Sequence, residues 1–168
     1  MVKQSGKTGA SLNRHGSAQD IGTPPEFIDA VERRFGKIVL DLAANATNAI
    51  CPDYYGPGGI EENSLDARWY LGRKTKPGVN WLNCPFGNVA QWAEKCAVHR
   101  DCPQWTLLLV PASVGSQWFS KHCLGQAHVM ALRQRITFVG QTQPYPRDLM
   151  LCAYGFSVFG FESWSWAK

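Results

Sequence analysis

A chain of 168 residues, 45% of them hydrophobic and 18% charged, is long enough to enclose a core without disulfide or metal staples and has the balance of an ordinary folded domain. A net charge of +4 permits a polyanionic partner without requiring one. No stretch approaches the roughly 20 apolar residues of a membrane helix, and the opening MVKQSGKTGASLNRHG lacks the apolar centre of a signal peptide, so a cytosolic protein is expected.

Residues 1–19 are dominated by Gly, Ser, Lys, Asn and Gln and offer little to bury; they read as a flexible N-terminal tail ahead of one domain over 20–168. TPPEFIDAVERRFG has the grammar of a helix start, with Thr23 as N-cap, prolines in the first turn, Glu26 three residues on as in a capping box, and Gly36 beyond the end. KIVLDLAAN follows as a short buried strand ending at Asp41. The next two dozen residues are polar and rich in turns, with GPGG at 56–59 and a short helical turn at SLDARW. VNWL, 79–82, is the second strand, and VAQWAEKCAVH, 89–99, is a helix with Val89, Trp92, Ala93, Cys96 and Ala97 inward. WTLLLVPA is the third strand and SQWFSKHCL a helix. AHVMALRQRITFVG supplies one or two strands, and DLMLCAYGFSVFGF reads as paired strands. The alternation predicts an α/β protein: a Rossmann-like, mainly parallel sheet with flanking helices and an antiparallel C-terminal strand pair. In such sheets ligands sit beyond the carboxyl ends of the strands, where Asp41, Asn83 and Pro111 fall.

The most unusual of these ends is Asn83-Cys84-Pro85-Phe86. The amino group of a nucleobase is a poor nucleophile because its lone pair is delocalised into the ring; acceptors that hold its hydrogens favour the attacking geometry. The Asn83 amide oxygen and the Cys84 carbonyl could be those acceptors, since Pro85 biases residue 84 to an extended conformation, and Phe86 could stack on the base. A structural alternative has Asn83 capping the next helix, Pro85 in its first turn and Phe86 entering the core.

TPPEFIDAVERRFG, KIVLDLAANATNAICPDYY and WLNCPFGNVAQWAEK together resemble, in the same order, the blocks of the phage Dam-type DNA adenine-N6 methyltransferases, within the wider class of S-adenosylmethionine-dependent amino-methyltransferases. The likeness spans roughly residues 20–150, and SLDARW, WTLLLVPASVGSQWF and RQRITFVG look like subsidiary blocks. It implies that Thr23, Pro24, Pro25 and Asp41 embrace S-adenosylmethionine, and that Asn83, Cys84, Pro85 and Phe86 hold the target amine. Cys84 stands where the family's NPPY or NPPF motif has its first proline. On physical grounds Asp41 suits the cofactor's ammonium, Ala43 and Ala44 leave room for a close backbone approach, and Thr23 can bond the carboxylate. Asp53 and Asp66 are alternatives for the ribose hydroxyls or the adenine amine. AANATN replaces the usual glycine-rich turn.

Direct displacement on the sulfonium methyl needs no metal, and a base within a duplex must be flipped out or presented single-stranded. DNA is thus the expected partner, with Arg73, Lys74, Lys76, Lys121, Arg133, Arg135 and Arg147 as candidates for phosphates; each taken singly also reads as a solvated surface charge. No membrane or obligate protein partner is expected, and a phage-encoded enzyme would act in the cytoplasm of a bacterial host. Three other readings are open: a cytosine-N4 methyltransferase, an inactive DNA- or cofactor-binding remnant of the same fold, and a zinc module built from Cys96, His99, Cys102, His122 and Cys123. Six cysteines without a CxxC pair read as reduced thiols rather than disulfides or a zinc knuckle.

Overall fold

Alternate residues of the third strand face opposite ways, and both sets are buried: Leu107 and Leu109 belong to one hydrophobic core, Leu108 and Val110 to another. A strand apolar on both faces needs cover on both sides, which a layer of helices above and below the sheet supplies. The computed structural model describes residues 21–69, 78–157 and 159–167. The elements are α1 (Pro25–Phe35), β1 (Ile38–Asp41), β2 (Val79–Leu82), a 3-10 turn (Phe86–Asn88), α2 (Val89–Val98), β3 (Trp105–Pro111), α3 (Gln117–His122), β4 (His128–Leu132), β5 (Leu149–Tyr154) and β6 (Gly160–Trp164). Phe27, Ala30, Val31 and Phe35 of α1 fill one core; Val89, Trp92, Ala93 and Cys96 of α2 and Phe119 and Cys123 at α3 fill the other.

Among the described residues the sheet has six strands, in the order β1-β2-β3-β5-β4-β6. β1, β2 and β3 are parallel, β5 is antiparallel to both β3 and β4, and β4 is parallel to β6. The sheet is therefore mixed: only β5 is reversed. The expected pairing of the last two strands with each other is not formed, because β4 lies between them. The physical reason is burial. Every residue of β5 is buried, so it needs neighbours on both edges, whereas β6 presents an exposed edge with Phe161 in solvent.

Two local expectations are also corrected. The N-cap of α1 is Pro24, not Thr23, and no side chain caps the helix, so the capping box with Glu26 is absent; the free N–H groups of Phe27 and Ile28 reach the Pro24 carbonyl instead. With proline at the first helical position there is no amide to cap there, and Thr23 turns inward. The region 128–140 holds one strand, β4. The tail 1–19 and Arg73, Lys74 and Lys76 lie outside the described residues. All six cysteines are free, and among the described residues no group of three or more His, Cys, Asp or Glu side chains is arranged to hold a metal ion. Cys96 of the zinc alternative is fully buried in the core. Among the described residues no helix is long and apolar enough to cross a membrane.

Candidate functional site

Parallel pairing of β1 with β2 brings two polar residues to the same end of the sheet. Asp41 closes β1 and faces Trp81 across the ladder, and Asn83 directly follows Leu82, the last residue of β2. Asp41 is only 3% exposed. Its two carboxylate oxygens accept from the backbone N–H groups of Ala43 and Ile50, each at 3.3 Å. Among the described residues no lysine or arginine forms an ion pair with it. Burial pushes its carboxyl up to about 6, and the two N–H groups offset this only in part. A buried carboxylate held by two dipoles but no countercharge is suited to receive a cation.

Asn83 does not cap a helix: Pro85 is the N-cap of the 3-10 turn and Asn88 that of α2. Its amide nitrogen donates to the Thr23 hydroxyl at 3.2 Å, a contact bridging 60 residues of sequence. That bond fixes the amide plane and leaves the Asn83 Oδ1 as an acceptor. Among the described residues no backbone N–H is bonded to the Cys84 carbonyl. The Cys84 side chain is buried in the core beside Cys96, and burial pushes its thiol well above the ordinary range, so it stays protonated and serves as packing. Phe86 is half-buried; its ring meets Tyr145 at 5.4 Å and Phe138 at 6.2 Å, both edge-on.

Two hollows meet at Asn83 and Ala43. The larger, of about 210 Å³, is lined by residues 42–45, Tyr55, Gly56 and Pro57, Glu62, Asn63 and Ser64, together with Asn83, Pro85 and Trp92. The smaller, of about 10 Å³, is walled by Ile21, Gly22 and Thr23, with Asp41, Ile50 and Asn83 around it; that volume admits a group the size of water or an ammonium. Of the residues singled out from the sequence, Thr23, Asp41, Ala43, Ala44, Asn83 and Pro85 thus line the two hollows. Pro24 is buried at the helix start and Pro25 is exposed.

Asp53 and Asp66 are not among the lining residues of either hollow. The Asp53 carbonyl accepts from the Asp41 amide at 3.0 Å, so this residue meets β1 through its backbone. Asp66 is exposed and accepts from Asn63. In their place stand Glu62, Asn63, Tyr55 and Trp92. The chain doubles back after Tyr55: the Gly56 N–H donates to Glu61 at 2.7 Å, and Ala44 N–H to Tyr55 at 3.0 Å. GPGG signals that turn in the sequence, but not where the returning residues end up. Lys95 on α2 donates to the carbonyls of Leu65 and Ala67, both at 2.6 Å, and Trp69 donates to Ser64, tying the returning segment to the helix.

Arg133, Arg135 and Arg147 lie in the segment between the carboxyl end of β4 and the start of β5, which is the end of the sheet that carries Asn83. All three are exposed, and Arg135 sits 3.6 Å from Asp148. Lys121 is in the last turn of α3, a helix that leads from the carboxyl end of β3 back to the amino end of β4, so it stands away from that end.

Residues 13–149 match the family model described as DNA N-6-adenine-methyltransferase (Dam). A protein of that description from Escherichia phage T1 is 26% identical over 134 residues, which is 79% of this chain and 53% of the relative, so the chain spans about half the relative's length. No solved structure matches. With most of its length inside the family model, the chain belongs to the Dam family of DNA N-6-adenine-methyltransferases.

Proposed function

We propose that the protein is an S-adenosylmethionine-dependent DNA methyltransferase acting on the exocyclic N6 of adenine, on a Rossmann-like scaffold. The observation that carries this is Asn83, a strand-end amide oriented by Thr23 that borders both the small hollow at the buried Asp41 carboxylate and the larger cavity of about 210 Å³. The residues fit the cofactor. Asp41 suits its ammonium. Trp92, Tyr55 and Pro57 offer apolar faces to a nucleoside, and Glu62 offers acceptors for ribose hydroxyls. When bound, S-adenosylmethionine supplies a methyl group activated by a sulfonium.

The chain's own part is alignment. The Asn83 Oδ1 and the Cys84 carbonyl accept the two amino hydrogens, which draws the nitrogen lone pair out of conjugation with the ring. Thr23 prevents the Asn83 amide from turning its NH2 toward the substrate. Phe86, held edge-on by Tyr145 and Phe138, presents a ring face that a base can stack on. Cys84 lacks the ring constraint of proline, and its rigidity comes from a fully packed thiol instead. DNA is the substrate, and the bacterial cytoplasm the place of action.

The test is transfer of a labelled methyl group from S-adenosylmethionine to DNA, followed by digestion to nucleosides and identification of the product by mass. N6-methyladenine is the expected product, with Asn83→Ala at least about 100-fold slower. N4-methylcytosine would reassign the base, and no label above the Asn83→Ala level would leave a binding protein of the same fold.

A further inference from the structure

The segment 133–148 is a long irregular connection, yet it is anchored beside the proposed catalytic turn rather than loose. The rings of Phe138 and Tyr145 close on Phe86, and on each other at 5.9 Å. The Tyr145 N–H donates to Ile136 at 2.8 Å, which closes the base of a loop, and the Val139 N–H donates to Gly22 at 3.0 Å, one residue before Thr23. Between these anchors residues 139–144 are all exposed, Val139 to 54%, and the chain reverses at Gly140, whose φ of 78° suits glycine. The tip carries Gln141, Thr142 and Gln143, whose side chains have no hydrogen-bond partner among the described residues. Arginines flank it on both sides, Arg133 and Arg135 before and Arg147 after.

A surface loop with no further role would not need two aromatic rings packed on Phe86 and a backbone bond to Gly22 to hold it beside the proposed catalytic turn. Its chemistry is also divided. The neutral amides lie at the tip and the cations at the base, as a surface would be arranged if the cations hold phosphates for position and the amides meet base edges for sequence. A glutamine amide matches the N7 and N6 edge of adenine in the major groove with two hydrogen bonds.

From this placement we infer that the loop tip 139–144 is the sequence reader of the protein, with Gln141 and Gln143 contacting the edges of base pairs next to the target adenine while Arg133 and Arg147 hold the neighbouring phosphates. The inference rests on the methyltransferase reading above and deepens it by naming the segment that selects the target site.

The experiment uses the full chain and duplexes in which one adenine is flanked by randomised base pairs. Methylated molecules are sequenced for the wild type and for the double variant Gln141→Ala/Gln143→Ala. Expected is a preferred context in the wild type and a loss of about 10-fold in selectivity in the variant, through slower transfer at preferred contexts. An unchanged melting temperature and cofactor affinity show that the variant is folded. Arg147→Ala should slow transfer in every context alike and make it less steeply dependent on salt. If the double variant keeps the context ranking of the wild type, or the wild type has no preference, the loop is not a reader and the inference falls alone. A wild type that transfers no methyl group overturns the methyltransferase reading and the inference with it.

Discussion

Replacing Asp41 by asparagine should stabilise the ligand-free protein while weakening its proposed hold on the cofactor. The carboxyl has a pKa of about 6 in the folded chain against 3.8 when exposed, chiefly because burial disfavours the charge. The folded state therefore binds the proton more tightly than the unfolded one, so stability is unaffected by this group below about pH 3.8 and is lost as pH rises through about 6. At about 1.4 kcal/mol for each tenfold change in proton affinity, the penalty at pH 8 is about 3 kcal/mol. Asparagine removes the charge but keeps only one acceptor for the two N–H groups of Ala43 and Ile50, a loss of about 1 kcal/mol. The net gain is about 2 kcal/mol, or about 4–8 °C in melting temperature for a chain of this size. Thermal denaturation at pH 8 and at pH 4, without ligand, reads it directly: the gain should be present at pH 8 and absent or reversed at pH 4. Calorimetric titration with S-adenosylmethionine should show weaker binding by the variant at pH 8. A variant equally stable at both pH values relative to wild type would refute the idea of an uncompensated buried charge, and with it the reason for giving Asp41 the ammonium.

Thr23→Val keeps the shape of the side chain but leaves the Asn83 nitrogen without its acceptor, so kcat should fall about 10-fold with little change in the KM for DNA; Thr23→Ser should restore it. Equal losses in the two variants would mean that the hydroxyl does not set the amide. Gly56→Ala asks for a side chain at φ 134°, with the new carbon 1.9 Å from the Ala44 carbonyl oxygen in the wall of the larger cavity. A loss of at least about 2 kcal/mol, with a lower melting temperature and weaker cofactor binding, is expected, and an unchanged melting curve would show that the wall has slack.

What could be read from the sequence depended on how local the determining interaction is. β3 announces itself as the apolar run Leu107–Val110 before a proline, and α2 by the spacing of Val89, Trp92, Ala93 and Cys96, because each pattern is set by what a single element buries. Asp41 and Asn83 could be placed at strand ends for the same reason. The pairing of the C-terminal strands is not legible in either segment, because pairing is decided between elements. Even there a clue existed: LMLCAY is apolar at every position, which an edge strand in a two-strand pair does not need, while GFESW carries the glutamate of an edge. Thr23 had the grammar of a cap, but its partner lies 60 residues away in a strand-end turn, and no local rule contains that contact. Asp53 and Asp66 read as candidate acids because both stand in a polar stretch. The chain instead uses the backbone of one and exposes the other, and it brings Glu62 to the cavity by a return that GPGG marks only as a turn.

The value of an asparagine rather than an aspartate at position 83 follows from its neighbours. Asp41 stands at the end of the adjacent parallel strand, and both side chains border the same small hollow. A second carboxylate there would face a buried negative charge in a region already dry enough to push Asp41 up to about 6, and the pair would share a proton instead of both ionising. The amide avoids that coupling. It offers an acceptor oxygen at any pH, and its nitrogen gains the Thr23 hydroxyl as a partner that an ionised carboxylate could also have bonded, but only as an acceptor. Under the proposed function, one negative charge for a cationic cofactor and one neutral acceptor for an amine are thus kept a strand apart. The parallel register of β1 on β2 sets the spacing of the two strand ends from which these side chains project.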